Sequence, residues 1–256
     1  MKKLIRASLW LALAIVLGIA PGAFAQVNLY LADAGNNNVM DNIYVGAYDG
    51  SVNGGANQQI VCDDFADESY VGHNWSANVM SVGDLNASNL GNTVWGAYYL
   101  AHGQMASTII SWYQEAAYLT VQLLTGNNSQ TMQGYLSYAI WAVMDPGEVK
   151  AWLTSHGDTN AYNAVFGTNG LLANAALKYG SMSYANILIY SPGSFVNGQW
   201  QVCSPNVGGA GGNCAGQEFF GMMQVPEGGS ALMYLLLGGV SCFGAMFFRQ
   251  RQQVSC

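Results

Sequence analysis

Apolar and polar residues alternate along the first third of the chain. Val27–Leu31 (VNLYL), Asn42–Tyr48 (NIYVGAY), Gln58–Phe65 (QQIVCDDF) and Trp75–Val82 (WSANVMSV) are short runs rich in β-branched and aromatic residues. This is the pattern of half-buried strands. Clusters of Gly, Asn and Asp, such as DGSVNGGAN at 49–57, separate them and read as turns.

The period then changes. Gln104–Leu124 has no Gly or Pro and predicts one long, mostly buried helix. Ser129 is placed to cap a second helix over Gln130–Met144. There Met132, Tyr135, Leu136, Ala139, Ile140 and Val143 recur at spacings of three and four, with Gly134 interrupting the pattern. Pro146 ends that helix. Glu148–Ser155 and Asn160–Tyr179, broken near Gly167, predict further helical pieces. Strand character returns at Ala185–Pro192. Ser194–Ser204 predicts a hairpin turning at Asn197-Gly198, and Gln217–Met223 a last strand. The order β, α, β predicts a single α+β domain in which helices pack beside an antiparallel sheet.

The two ends follow different rules. Lys2, Lys3 and Arg6 precede an apolar run over Leu9–Ile19, and Ala23-Phe24-Ala25 supplies small residues at the −3 and −1 positions. This predicts a secretory signal peptide, residues 1–25, cut by signal peptidase after Ala25. At the other end, residues 230–248 carry no charge, and Arg249 and Arg251 follow at once. About eighteen helical residues span about 27 Å, close to the hydrocarbon core of a bilayer. The arginines mark the cytoplasmic side, so the expectation is a transmembrane helix with the bulk of the chain outside. The organisation expected is a signal peptide (1–25), an exported domain (26–224) and a C-terminal tail (225–256).

Charge narrows the choice of partners. Five of the seven Lys and Arg lie in the two end segments, leaving Lys150 and Lys178 against thirteen acids, a net charge near −11 for residues 26–224. Such a surface repels phosphate backbones and excludes nucleic acid as a partner. With so few cations, the fold must rest on apolar burial and neutral hydrogen bonds. In an exported chain, cysteines read as candidate disulfides. Cys203 and Cys214 flank a Gly-rich loop and are expected to pair, contributing about 3 kcal/mol in the chain-entropy model. Cys62 is then left over, and reads as a buried thiol or a disulfide partner.

Candidate chemistry is sparse. His73, His102 and His156 belong to no metal-binding or nucleophile motif and read as loop or helix-end residues. Asp63, Asp64, Asp67 and Glu68 form an acidic cluster without the spacing of a calcium loop, and read as a solvated turn. No phosphate loop or dinucleotide fingerprint is present. The expectation is no catalytic residue, no metal and no cofactor. Trp75, Trp95, Trp112 and Trp200 are the tryptophans considered for stacking on sugar rings.

Val225-Pro226-Glu227-Gly228, the apolar run and the terminal arginines stand in the order of a sorting signal. This tail resembles the PEP-CTERM tail of Gram-negative bacteria, whose usual motif is Pro-Glu-Pro, over Val225–Gln252. The resemblance implies export, temporary anchoring in the inner membrane, processing by exosortase near Pro226-Glu227, and a mature form at the cell surface or in the extracellular matrix. It also implies a link to exopolysaccharide and biofilm. A second resemblance covers roughly 44–192. Cys62 in an early strand, and Ala139-Ile140-Trp141 in the second helix, are similar to the thioester-domain surface adhesins. In that family a cysteine and a glutamine condense to capture amines. The glutamine position is Ser137 here, which cannot supply the acyl group, and the threonine position is Leu136. The reading is therefore a non-enzymatic exported surface or matrix protein. The alternatives are a covalent adhesin using Cys62 and a secreted hydrolase.

Overall fold

The alternating runs do form strands, and the strands close on themselves. In the computed structural model, which describes residues 25–223 except 36, 198 and 208–215, β1 (Ala25–Asp33) lies between β4 (Tyr48–Val52) and β6 (Asn74–Ser81). Val27, Leu29 and Leu31 of β1 are buried, whereas Gln26, Asn28 and Tyr30 face solvent, the period of two that a half-covered strand requires. β4 pairs with β5 (Asn57–Cys62), β5 with β9 (Phe219–Met222), and β9 with β7 (Ile187–Val196). β7 then pairs with β6, so that six strands, all antiparallel, make a closed barrel. Where the sequence predicts helices packed beside a sheet, the sheet has no free edges because its two ends meet at β6 and β7. Periodicity shows which face of a strand is covered. It does not show that the first and last strands pair.

β8 (Gln199–Val202) forms a hairpin with the outer half of β7, with Phe195 opposite Trp200, and Asn197 turns it at φ +53°. A second, small hairpin joins β2 (Val39–Met40) to β3 (Ile43–Tyr44). The run Asn42–Tyr48, expected as one strand, is thus divided between this hairpin and β4. The division falls at Gly46, whose φ of +98° is a conformation that other residues rarely adopt. β4 itself lies in the Gly- and Asp-rich stretch that reads as a turn.

The helices come between β6 and β7. α1 (Val94–Ala101), which the periodicity does not reveal, is capped by Thr93, whose hydroxyl accepts from the Gly96 N–H. α2 (Ala106–Thr125) buries Ile109, Tyr113, Ala116, Ala117, Thr120 and Leu123 along one face. α3 (Gln130–Met144) begins after Ser129, whose hydroxyl accepts from the Met132 N–H at 3.2 Å, and matches its predicted bounds. It is buried from Leu136 to Met144 and packs against α2, α4 (Pro146–His156), α5 (Thr159–Phe166) and α6 (Leu171–Lys178). Such all-round burial makes α3 the axis of the helical layer, and truncating Ile140 to Ala would cost about 2–5 kcal/mol. Gly134 is tolerated within α3 because the β2–β3 hairpin packs there: a Cβ would lie 2.8 Å from Met40 Sδ. Pro146 ends α3 and also starts α4, where Asp145 caps by accepting from the Glu148 N–H.

The chain divides into Met1–Met222 and Met223–Cys256. The expected signal peptide (with Ala23), the sorting motif Val225–Gly228, the apolar segment 230–248 and Arg249 and Arg251 lie outside the described residues. Among the described residues no helix is long and apolar enough to cross a membrane.

Candidate functional site

β5 runs from exposed Asn57 to fully buried Ile60, Val61 and Cys62. The acidic turn that follows therefore starts inside the protein. Asp63 and Asp64 are both completely buried, which overturns the reading of this cluster as a solvated turn. The cause is register: Cys62 pairs with Phe219, and the Asp63 N–H donates to the Glu218 carbonyl at 3.3 Å. The start of the turn is thus tied to the chain entering β9. Only Glu68 of the cluster is exposed.

Glu218 is the residue the sequence analysis misses. It lies near the start of the run Gln217–Met223, predicted as the last strand, where nothing in the sequence marks a charged residue as buried, yet it is fully buried and is the hub of a polar network. Its Oε2 accepts from the Val94 N–H at 2.8 Å, at the start of α1, and from the Ser191 hydroxyl of β7. Its Oε1 accepts from the Tyr113 hydroxyl of α2 at 2.6 Å. The helix N-terminus and three donors favour the carboxylate, while burial, the larger effect, pushes its pKa up. The Asp63 oxygens have no hydrogen-bond partner among the described residues. Burial first, then the Glu218 and Asp64 charges, holds Asp63 well above the carboxylate range. Asp64 is likewise driven well up by burial and then by Asp67. Asp64 Oδ1 accepts from the Ala66 and Asp67 N–H groups, at 2.9 and 3.3 Å, and Oδ2 has no partner.

Cys62 is a free, buried thiol. Its Sγ donates to the Asp64 carbonyl at 3.0 Å and accepts from the Asp64 N–H at 3.3 Å, a local ring that fixes the turn. Burial, then Asp64 and Asp63, raises its pKa well above that of an ordinary thiol; the Asp64 backbone and the Trp141 indole oppose the rise. Ser137 is bound elsewhere. Its hydroxyl accepts from the Gly46 N–H at 2.7 Å and donates to the Gln133 carbonyl at 3.1 Å. The amide of Gln133 donates to the Asn128 carbonyl at 3.3 Å. Trp141, one turn beyond Ser137, is the residue of this helix motif that approaches the cysteine.

In front of the turn lies a cleft of about 850 Å³, within the roughly 300–1,000 Å³ of small-molecule sites. Phe65 is the centre of its wall, with ring centroids 5.1 Å from Trp141 and 5.8 Å from Trp152. Tyr44 and Tyr70, about half exposed, stand on its rims. The turn is braced from behind by Gln217, whose amide donates to the Asp64 and Asp67 carbonyls, both at 2.6 Å. Of the four tryptophans considered for sugar stacking, Trp75 and Trp95 are buried, and none of the four lines this cleft. The aromatic wall is missed because its members come from β3, the acidic turn, α3 and α4, and no spacing unites them.

Cys203 is disulfide-bonded, while Cys214 lies outside the described residues. His73, His102 and His156 are all exposed, at a turn and at two helix ends. Among the described residues no group of three or more His, Cys, Asp or Glu could hold a metal ion. Comparison with protein-family models, with curated proteins and with solved structures finds no match for this chain.

Proposed function

We propose that the chain is a non-enzymatic exported protein of the cell surface or extracellular matrix, held temporarily in the inner membrane and released or transferred by exosortase. On this reading residues 26–224 are one exported α+β domain, 1–25 a signal peptide, and 225–256 a sorting tail with a transmembrane helix. One observation carries the reading: the order of Val225-Pro226-Glu227-Gly228, an uncharged run of membrane length, and Arg249 and Arg251. A disulfide at Cys203 supports it, because structural disulfides persist in oxidising compartments outside the cytosol. The acidic, lysine-poor surface supports it as well, since such a domain stays soluble and avoids nucleic acid. A link to extracellular polysaccharide follows from the same tail.

Intact-mass analysis of the protein from its host, with fragmentation at both ends, tests the reading. The expected product begins at Gln26 and stops near Pro226. A chain that still ends at Cys256 would make the apolar segment a permanent anchor and defeat the sorting argument.

A further inference from the structure

From the cleft in front of the acidic turn we infer a binding site for an uncharged sugar chain, stacked on Tyr44, Tyr70 and the Phe65–Trp152 wall. The inference deepens the matrix reading above and rests on it for the source of the sugar. Three features of the cleft select this ligand class.

The first is aromatic geometry. Phe65 meets Trp152 edge-on, with an interplanar angle of 78°, so the wall presents ring faces in more than one direction. Exposed Tyr44 and Tyr70 extend it to the rim. Flat apolar ring faces next to polar groups suit a pyranose, which has an apolar C–H face and an equatorial belt of hydroxyls.

The second is charge. The lining includes Asp64, Asp67, Glu68 and Glu148, and neither Lys, Arg nor His. Lys150 is not part of the lining, and its Nζ lies 4.9 Å from the Phe166 ring centroid. Anionic sugars such as uronates, and phosphate esters, would meet only like charge.

The third is the balance of donors and acceptors, which separates a neutral sugar from an amine. A protonated amine offers donors only. The cleft offers both kinds of partner: the Asn42 amide and the Ser69 hydroxyl beside the carboxyl groups. The carboxyl oxygens of Asp67, Glu68 and Glu148 in the lining accept hydrogen bonds. A hydroxyl matches that mixture, since it both donates and accepts.

The test is calorimetric titration of the full chain, extracted in detergent or collected as its host releases it. The probes are cello-, laminari- and N-acetylchito-oligosaccharides, with alginate (anionic) and chitosan (cationic) oligomers as comparators. At least one uncharged series should bind, and more tightly than either charged series. The double variant Tyr44→Ala/Tyr70→Ala should weaken that binding about tenfold or more. The variant Tyr44→Phe/Tyr70→Phe, which keeps both rings, should stay within about threefold of the parent. Absence of binding to every uncharged series would overturn the inference, as would preference for alginate or chitosan, or indifference to the Ala variant with its fold intact. Sugar binding that fails in a chain with a processed tail rejects the cleft assignment alone. Sugar binding by a chain that keeps its tail rejects the sorting reading alone.

Discussion

The Tyr113 hydroxyl of α2 donates to Glu218 Oε1 at 2.6 Å, and so ties the helical layer to the last strand of the barrel across 105 residues of chain. The same hydroxyl accepts from the Gly96 N–H of α1 at 3.3 Å. One oxygen atom thus joins two helices to a carboxylate that also holds β7 through Ser191. All of these groups are buried, so water cannot replace a lost partner. Tyr113→Phe removes one charge-assisted bond and should lower unfolding free energy by about 1.5–3 kcal/mol. Glu218→Ala leaves the Val94 N–H and two hydroxyls without an acceptor and should cost more. Urea denaturation of the parent and both variants checks this. Equal stability of Tyr113→Phe and the parent would mean that the network is not a stabilising link.

The buried acids predict a stability that falls with pH. Asp63, Asp64 and Glu218 have raised pKa values, chiefly through burial, as do half-buried Asp67 and Glu115. Unfolded carboxyls titrate near about pH 4. Between that point and the raised folded values, the folded chain holds protons that the unfolded chain has released. The contribution is complete below about pH 4 and is lost as pH rises through the folded values, by about 1.4 kcal/mol per pH unit for each proton held by the fully buried Asp63, Asp64 and Glu218, and by less for Asp67 and Glu115, which solvent screens. The urea midpoint should therefore be higher in mildly acidic than in mildly alkaline buffer. Asp63→Asn, which mimics the neutral acid, should flatten the profile by about one proton and raise stability at the alkaline end. A flat profile would show that these carboxyls ionise freely in the fold, and the opposite slope that the fold favours their charged forms.

Ser137 predicts a purely structural cost. Its hydroxyl bridges the Gly46 N–H and the Gln133 carbonyl, and so fixes the β3–β4 connection to α3. Ser137→Ala leaves the Gly46 N–H buried without an acceptor and should cost about 1–3 kcal/mol. At Gly46, where φ is +98°, any side chain adds strain, so Gly46→Ala should also destabilise. Thermal melts of the two variants measure both effects, and a melting temperature unchanged by Ser137→Ala would remove the bridge from the account.

What the sequence shows of this molecule follows from how local each feature is. The bounds of α3 are legible because Ser129, the apolar spacing and Pro146 all act within a few residues of the helix. β1 is legible because Val27, Leu29 and Leu31 alternate with polar neighbours. α1 is not, since its helix rests on Thr93 and on the distant Glu218 and Tyr113 rather than on an amphipathic stripe. The closure of the barrel through β6 and β7 joins segments about 110 residues apart, and no local pattern encodes it. The burial of Asp63 and Asp64 is hidden for the same reason. Four acids in six residues look solvated, and only the pairing of Cys62 with Phe219 shows that the first two lie inside. The cleft draws its rings from four elements, so composition reveals the aromatics but not their meeting.

Cys62 gives the sharpest chemical test. Its thiol is buried, is bonded to both backbone groups of Asp64, and has a pKa raised by burial and by two neighbouring acids. Both thiolate fraction and access are low, and these set the rate of alkylation. Iodoacetamide in mildly alkaline buffer should therefore leave Cys62 of the native chain unmodified over a time in which a free peptide thiol reacts fully. In denaturant the same residue should react at once, and its peptide should gain one carbamidomethyl group. A thioester at this position would give a different pair of results. The intact chain would be lighter by one ammonia, and the sulfur would resist alkylation even after unfolding until a nucleophile opened the bond. Finding that pair would replace the buried thiol with an acylated one and revive the covalent-adhesin alternative. Rapid labelling of the native chain would instead show that the turn after β5 opens in solution, contrary to the tight ring that Cys62 forms with Asp64.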